Sequence, residues 1–354
     1  MKERRLLLPL SWLYGGVVGL RNKFFDWGIL PSESFALPVI AVGNLTVGGT
    51  GKTPFTEFLI RLLKEEYNVA FLSRGYKRIT RGYVLADAES TARTLGDEPF
   101  QVWRKFPDIH VAVDANRRRG IHRLCSDAAT SDTHVVLLDD AFQHRYVTPG
   151  LNILLMDYHR PPYEDALLPC GLLREPFSSK ERADAVVITK CPSNLRPIDY
   201  RIIQGRLNLR PYQRLFFATI RYGALQPSGR RLSTLTTDTV VLLITGIANP
   251  APLIAELRRR TPHVRVLSFP DHHAFTSADI QRIQQEWNAI EAADRLLITT
   301  EKDAARLGTS LPDLHVLPIE VAFLKDQEKT FTHYIRSYVR KNSRNGSVHT
   351  RTHA

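Results

Sequence analysis

Cysteine is scarce in this chain. There are three in 354 residues, Cys125, Cys170 and Cys191, far apart and with no Cys-x-x-Cys pair. An odd, scattered set excludes a disulfide framework and a cysteine-ligated zinc site, and fits a reducing compartment. Long apolar runs are also missing: the N-terminal one, Leu6 to Leu20, falls short of the roughly 20 residues that span a bilayer. No clear small-residue cleavage site precedes Arg21, which argues against a signal peptide. There are no internal repeats. Acidic residues are in deficit: 36 Asp and Glu against 48 Lys and Arg leave +12, so the partner is expected to be anionic. Composition alone leaves nucleic acid, an anionic membrane surface and a phosphorylated substrate open. No nucleic-acid motif or basic strand interleaved with aromatics accompanies the charge, so nucleic acid is the weakest of the three.

What is present is a chain with hydrophobic content of 43% and the length for two domains. Its organising stretch runs from Pro38 to Pro54. Val39 to Val42 read as a buried parallel strand. Thr46, Val47, Gly48, Gly49, Thr50 and Gly51 then form a turn whose backbone N–H groups point into one concavity, and a helix opens at Lys52 and Thr53. A helix N-terminus, a mobile cation and a hydroxyl suited to Mg²⁺ make a triphosphate cradle. The strict phosphate-loop spacing asks for glycine five residues before Gly51, where this chain has Thr46.

Strands and helices alternate after that. Val69 to Leu72 lead to Arg74 and Tyr76, and Gly96-Asp97-Glu98-Pro99 opens a helix from Pro99 to Lys105. Arg117-Arg118-Arg119 reads equally as a solvated helix start or as a receiver for an anionic substrate. His134 to Leu138 form a strand that delivers Asp139 and Asp140 at its C-terminal end, where a phosphate-loop enzyme holds Mg²⁺. The expected fold is α/β: a mostly parallel, P-loop NTPase-type sheet with helices on both faces, joined by a two-stranded linker to a smaller C-terminal α/β domain. The expected boundaries are 1–30 for an N-terminal helix, 31–214, 215–235 for the linker, 236–341 and a disordered tail 342–354. Trp12, Tyr14 and Trp27, flanked by Lys and Arg, suit that N-terminal helix to the cytoplasmic face of a membrane; docking on the protein's own core is the alternative. Asp97 is the best candidate to accept the acceptor's proton, and His272 would orient it if the second domain closes over the first.

These motifs together resemble the tetraacyldisaccharide 4′-kinase family. The resemblance rests on Val42-Gly43-Asn44, Gly48 to Pro54, Leu72 to Tyr76, Gly96 to Pro99, Asp139 to His144, Leu173 to Pro176, Asp271-His272-His273 and Thr300 to Asp303. It implies transfer of the γ-phosphate of ATP to the 4′-hydroxyl of a lipid A disaccharide precursor at the cytoplasmic face of the bacterial inner membrane. ATP and Mg²⁺ are the implied cofactors, and no obligate protein partner is evident. The resemblance implies that Lys52, Asp97 and His272 are catalytic, that Thr53, Asp139, Asp140 and Glu175 lie on the metal side, and that Arg74, Tyr76, Arg118, Arg119 and His144 face the substrate. Ala141 stands where a glycine is expected after the two aspartates. A membrane-associated regulatory ATPase of the phosphate-loop class, with no phosphorylated acceptor, is the alternative; it leaves Asp97, His272 and the second domain unexplained.

Overall fold

The structure, a computed structural model, describes residues 7–227, 234–271, 273–308, 311 and 313–343. After helix α1 (Leu8–Asp26), the first unit runs β1 (Val39–Asn44), α2 (Lys52–Leu63), β2 (Val69–Ser73), β3 (Val84–Leu85), α3 (Ala92–Leu95), α4 (Asp97–Lys105), β4 (His110–Val113), α5 (Arg117–Ser126), β5 (Val135–Asp139), β6 (Leu151–Asp157), β7 (Ala185–Thr189), α6 (Pro197–Leu207) and β8 (Arg214–Tyr222). A second unit holds β9 (Gln226–Pro227), β10 (Val240–Thr245), α7 (Ala251–Arg260), β11 (Val264–Ser268), α8 (Ser277–Asn288), β12 (Arg295–Thr299), α9 (Glu301–Leu307) and β13 (Leu314–Val316). The chain then returns through β14 (Ile319–Phe323) and α10 (Gln327–Asn342).

The first sheet has the order β14-β8-β7-β6-β1-β5-β2-β4-β3 and is parallel except at β3 and β14. Helices cover both faces, so its central strands are buried along their whole length and read as continuous apolar runs. Strand β1 lies between β5 and β6, and the chain leaves it in opposite directions on its two sides. Such a reversal opens a crevice beyond the strand's carboxyl end, where ligands of doubly wound sheets sit. The second sheet has the order β11-β10-β12-β13-β9, with only the short β9 antiparallel.

The strands that pass between the units differ from the expected pair. Tyr222 ends β8, and two residues of β9 already belong to the second sheet. The other crossing strand is β14, antiparallel to β8; of the expected strand 230–235, residues 230–233 lie outside the described residues. The expected unit 236–341 also loses its end to the first sheet. The reason is apolar packing. Phe331 of α10 stacks on Phe323 at 4.6 Å and meets Phe55 and Phe216 edge-on at 5.6 and 5.0 Å, with Ile335 and Val339 fully buried beside them. Truncating a phenylalanine in such a site costs about 3–5 kcal/mol, which holds the return in place.

Helix α1 is docked through polar groups. Ser11 Oγ donates to the Leu167 carbonyl at 2.7 Å, Tyr14 OH to the Arg174 carbonyl at 2.8 Å, and Arg21 to the Gln143 carbonyl at 3.3 Å. Leu10, Leu13, Val17 and Leu20 share the outward face by their spacing of three and four, and Trp12, Trp27 and Ile29 are also exposed. No helix among the described residues is long and apolar enough to cross a membrane. Of the expected disordered tail 342–354, residues 344–354 lie outside the described residues.

Candidate active site

The phosphate loop is shaped by two glycines and by its neighbours. Gly48 and Gly51 sit at φ +111° and +83°, the left-handed region that a side chain strains, and Gly51 directly precedes α2. No side chain caps that helix start, so its N–H groups remain turned to the concavity. Thr46 needs no such freedom: it is buried in an extended bridge to Leu173, flanked by Val47 N–H donating to the Leu172 carbonyl at 2.8 Å and Arg174 N–H to the Leu45 carbonyl at 2.7 Å. This pairing accounts for threonine at the place of the missing glycine. Asn44 Nδ2 donates to Thr50 Oγ1 at 2.9 Å, Thr189 Oγ1 to the Thr50 carbonyl at 2.8 Å, and Lys190 to the Gly49 carbonyl. Gly43 permits close approach of the chain after the acids, since a Cβ there would lie 2.6 Å from Cβ of Phe142.

Beside the loop, β5 ends on Asp139, and Asp140 turns the chain at φ +46°. Asp139 is buried; its Oδ2 accepts from Ser73 Oγ at 3.2 Å, while Oδ1 is buried with no hydrogen-bond partner. Burial, with the charges of Glu98 and Asp140, pushes its carboxyl up to about 7. Burial acts upward on Asp140 too, but Lys52 at 3.6 Å and Arg174 at 3.1 Å outweigh it, and that carboxyl lies below the usual range. Because Glu98 acts on Asp139, the start of α4 faces the acids.

Asp97 is the first residue of α4, following Gly96 at φ +97°. The expected helix began two residues later, at Pro99. Placing Asp97 inside the first turn puts a carboxylate at the positive end of the helix dipole. Arg306 of α9, its side chain only 5% exposed, donates from Nε and Nη2 to Asp97 Oδ2 at 3.1 and 2.9 Å. The same guanidinium holds Asp303 at 3.1 Å and the Gly246 carbonyl at 3.3 Å. His272 lies outside the described residues. Its neighbour His273 is a structural residue, bonded through Nε2 to Asp279 at 2.9 Å and stacked on Phe269.

The three arginines of the run Arg117 to Arg119 take separate partners. Arg117 is buried, pushed down to about 10 chiefly by burial, and its Nη2 donates to the Asp139 carbonyl at 3.4 Å. Arg118 reaches Glu33 at 3.5 Å, and Arg119 forks onto both oxygens of Asp114 at 2.8 Å. His144 is held neutral: burial and the charges of Arg117, Arg21 and Arg74 push its imidazole down to about 4, and Nε2 is buried without a partner. Arg74 and Tyr76 are exposed at the end of β2.

Glu175, expected on the metal side, is buried: its Oε2 accepts from Arg182 at 2.5 Å, while Oε1, like Oδ1 of Asp139, is buried with no hydrogen-bond partner. Among the described residues no three His, Cys, Asp or Glu side chains converge on a metal position. The two neighbours take different partners, Arg174 pairing with Asp140 and Glu175 with Arg182. Arg306 and Ser73 are site residues that sequence reasoning did not single out.

A family profile described as tetraacyldisaccharide-1-P 4'-kinase matches residues 3–340. The chain belongs to that family. Among similar proteins, the tetraacyldisaccharide 4'-kinase of Bacteroides thetaiotaomicron is 52% identical, covering 100% of this chain and 98% of the relative. That of Parabacteroides distasonis is 53% identical over 96% of this chain and 95% of the relative. The crystal structure of LpxK from Aquifex aeolicus in complex with ATP superposes with a TM-score of 0.75 at 27% identity, covering 95% of this chain and 99% of that one. The likeness to that structure extends over both units of this chain.

Proposed function

We propose that the chain transfers the γ-phosphoryl group of ATP to the 4′-hydroxyl of a tetraacylated glucosamine disaccharide 1-phosphate, a step of lipid A biosynthesis. A full-length family match carries this reading, laid over a site where the phosphate loop, two aspartates and the Asp97 helix meet. The triphosphate lies on residues 46–53, with Lys52 drawing charge off the transferred group. Asp97 accepts the proton of the attacking hydroxyl as its oxygen bonds to the γ-phosphorus and the bond to the β-bridging oxygen breaks, releasing ADP. Positioning and charge neutralisation supply most of the rate in such a transfer. His272 is assigned to orient or tune Asp97. A regulatory ATPase is not favoured, because it has no use for a proton acceptor held by a second unit.

Mg²⁺ fits the acids. Asp139 Oδ1 is buried without a partner, in a site crowded by Asp140 and Glu98. Thr53, Asp139 and Asp140 are the residues that would hold the ion, which supplies charge neutralisation on the phosphate oxygens. Arg74, Tyr76, His144 and the Arg117 to Arg119 region are assigned to the anionic disaccharide, where neutral His144 serves as a hydrogen-bond partner among guanidinium groups. The exposed apolar face of α1 suits contact with the cytoplasmic face of the inner membrane, where the acceptor is embedded. The deciding experiment supplies γ-labelled ATP and the lipid disaccharide. Label in the disaccharide, in amounts matching ADP formed, is expected; ADP release without labelled lipid sinks the proposal.

A further inference from the structure

Helices α4 and α9 are pinned to each other at both ends. Arg306, near the end of α9, holds Asp97, the first residue of α4. At the opposite end, the ammonium of Lys105, the last residue of α4, is shared between two carboxylates. One is Glu301, the first residue of α9, whose other oxygen accepts from the Ile319 N–H of the returning strand at 3.3 Å. The other is Glu57 on α2, 2.6 Å away and 1% exposed. Glu57 also accepts from Gln101 Nε2 at 2.9 Å and faces Arg61 at 3.8 Å.

Glu57 stands five positions after Lys52 on the helix that leaves the phosphate loop. A carboxylate this deeply buried is costly unless it is paired. Lys105 pairs it and at the same time ties it to the second unit. The bridge therefore connects three parts of the site: the phosphate-loop helix, the helix that starts at Asp97, and the second unit's α9. Helix α4 rises about 12 Å between Lys105 and Asp97 at 1.5 Å per residue, so a tilt at one end displaces the other.

We propose that the Glu57–Lys105–Glu301 bridge positions Asp97, making Lys105 and Glu301 positioning residues for phosphoryl transfer. The proposal rests on the reading of Asp97 as the proton acceptor. It requires no contact between Lys105 or Glu301 and either substrate. The second unit then sets the reach of Asp97 through two ion pairs on α9, at Arg306 and at Glu301, as well as through the residues it presents to the crevice. A displacement of the reacting atoms of about 1 Å costs on the order of a hundredfold in rate, and a loosened far pin falls below that limit.

The test uses the full chain, γ-labelled ATP and the lipid disaccharide. Glu301→Gln leaves Glu57 paired with Lys105, so the fold is kept. It is expected to lower kcat about tenfold while leaving KM for ATP and the melting temperature nearly unchanged. Lys105→Arg restores much of the kcat that Lys105→Met loses. In an Asp97→Asn background, Glu301→Gln adds nothing, because the residue it acts through is already gone. Unchanged kcat in Glu301→Gln, or an equal loss with and without Asp97, overturns the proposal. Near-normal turnover in Asp97→Asn alone instead overturns the assignment of the proton acceptor, so the two failures are distinguishable.

Discussion

Arg306 donates two hydrogen bonds to one oxygen of Asp97, a residue 209 positions earlier in the chain. The guanidinium is nearly buried, and its Nη1 donates to Asp303 and to the Gly246 carbonyl. It therefore has one orientation, and it passes that orientation to Asp97. Lysine keeps the charge but lacks the planar fork. Arg306→Lys is expected to lower kcat about tenfold with little change in KM for ATP, since a positioning contact acts on the reacting geometry. A steady-state assay that finds kcat unchanged removes Arg306 from the site. Asp97→Ala should abolish transfer while ATP still binds by calorimetry.

The buried, unpartnered Oδ1 of Asp139 makes a second prediction. Without a cation this carboxylate destabilises the fold, so Asp139→Asn should leave the melting temperature of the metal-free protein equal or higher. The same variant should lose the rise in melting temperature that Mg²⁺ gives the parent protein with nucleotide, and with it nearly all turnover. A variant that still gains stability on adding Mg²⁺ would place the ion elsewhere. Chelation with EDTA should stop turnover of the parent and addition of Mg²⁺ should restore it.

How legible this site was depends on how local each feature is. The phosphate loop and the aspartates at the end of β5 are each contained within one strand and the turn that follows, so residue type and spacing reveal them. Arg306 was invisible because its neighbours in sequence, on the short helix α9, make it look like an ordinary solvated charge; only the docking of two units buries it. Lys105 and Glu57 are hidden for the same reason, as an i, i+4 surface pattern cannot show a partner on another helix. The crossing strands escape a local reading because β8 and β14 are separated by the whole second unit, so that no single stretch contains both. Phe331 and Ile335 carry the helical period that marks a buried face, yet nothing in that period says which sheet the face covers.

The exposed stripe on α1 leads to a prediction about partition. Leu13 is 67% exposed and Val17 62%, so charging them touches no packing and should alter stability by less than about 0.5 kcal/mol. Each apolar side chain withdrawn from a lipid surface forfeits about 1.5–3 kcal/mol of transfer energy. Leu13→Asp with Val17→Asp is therefore expected to release the protein from anionic vesicles in a flotation assay while its melting temperature holds. Equal flotation of the double variant and the parent would assign the stripe to something other than a membrane.

His144 sets a pH dependence of stability whose sign follows from its surroundings. Its imidazole is pushed down to about 4 by burial and by Arg117, Arg21 and Arg74, from an ordinary value of 6.5. Between those values the unfolded chain binds a proton that the native protein does not, so stability rises with pH across this window. The contribution is fully present above about 6.5 and is lost as pH falls toward 4, amounting to on the order of 3 kcal/mol at the acid end. Denaturant unfolding at pH 7 and pH 5 should show part of this loss in the parent. In His144→Gln, which keeps a polar side chain without a titrating group, the difference between the two pH values should shrink by that part. An equal pH dependence in both proteins would mean that the imidazole takes up its proton without disturbing the fold, contrary to its place among three arginines.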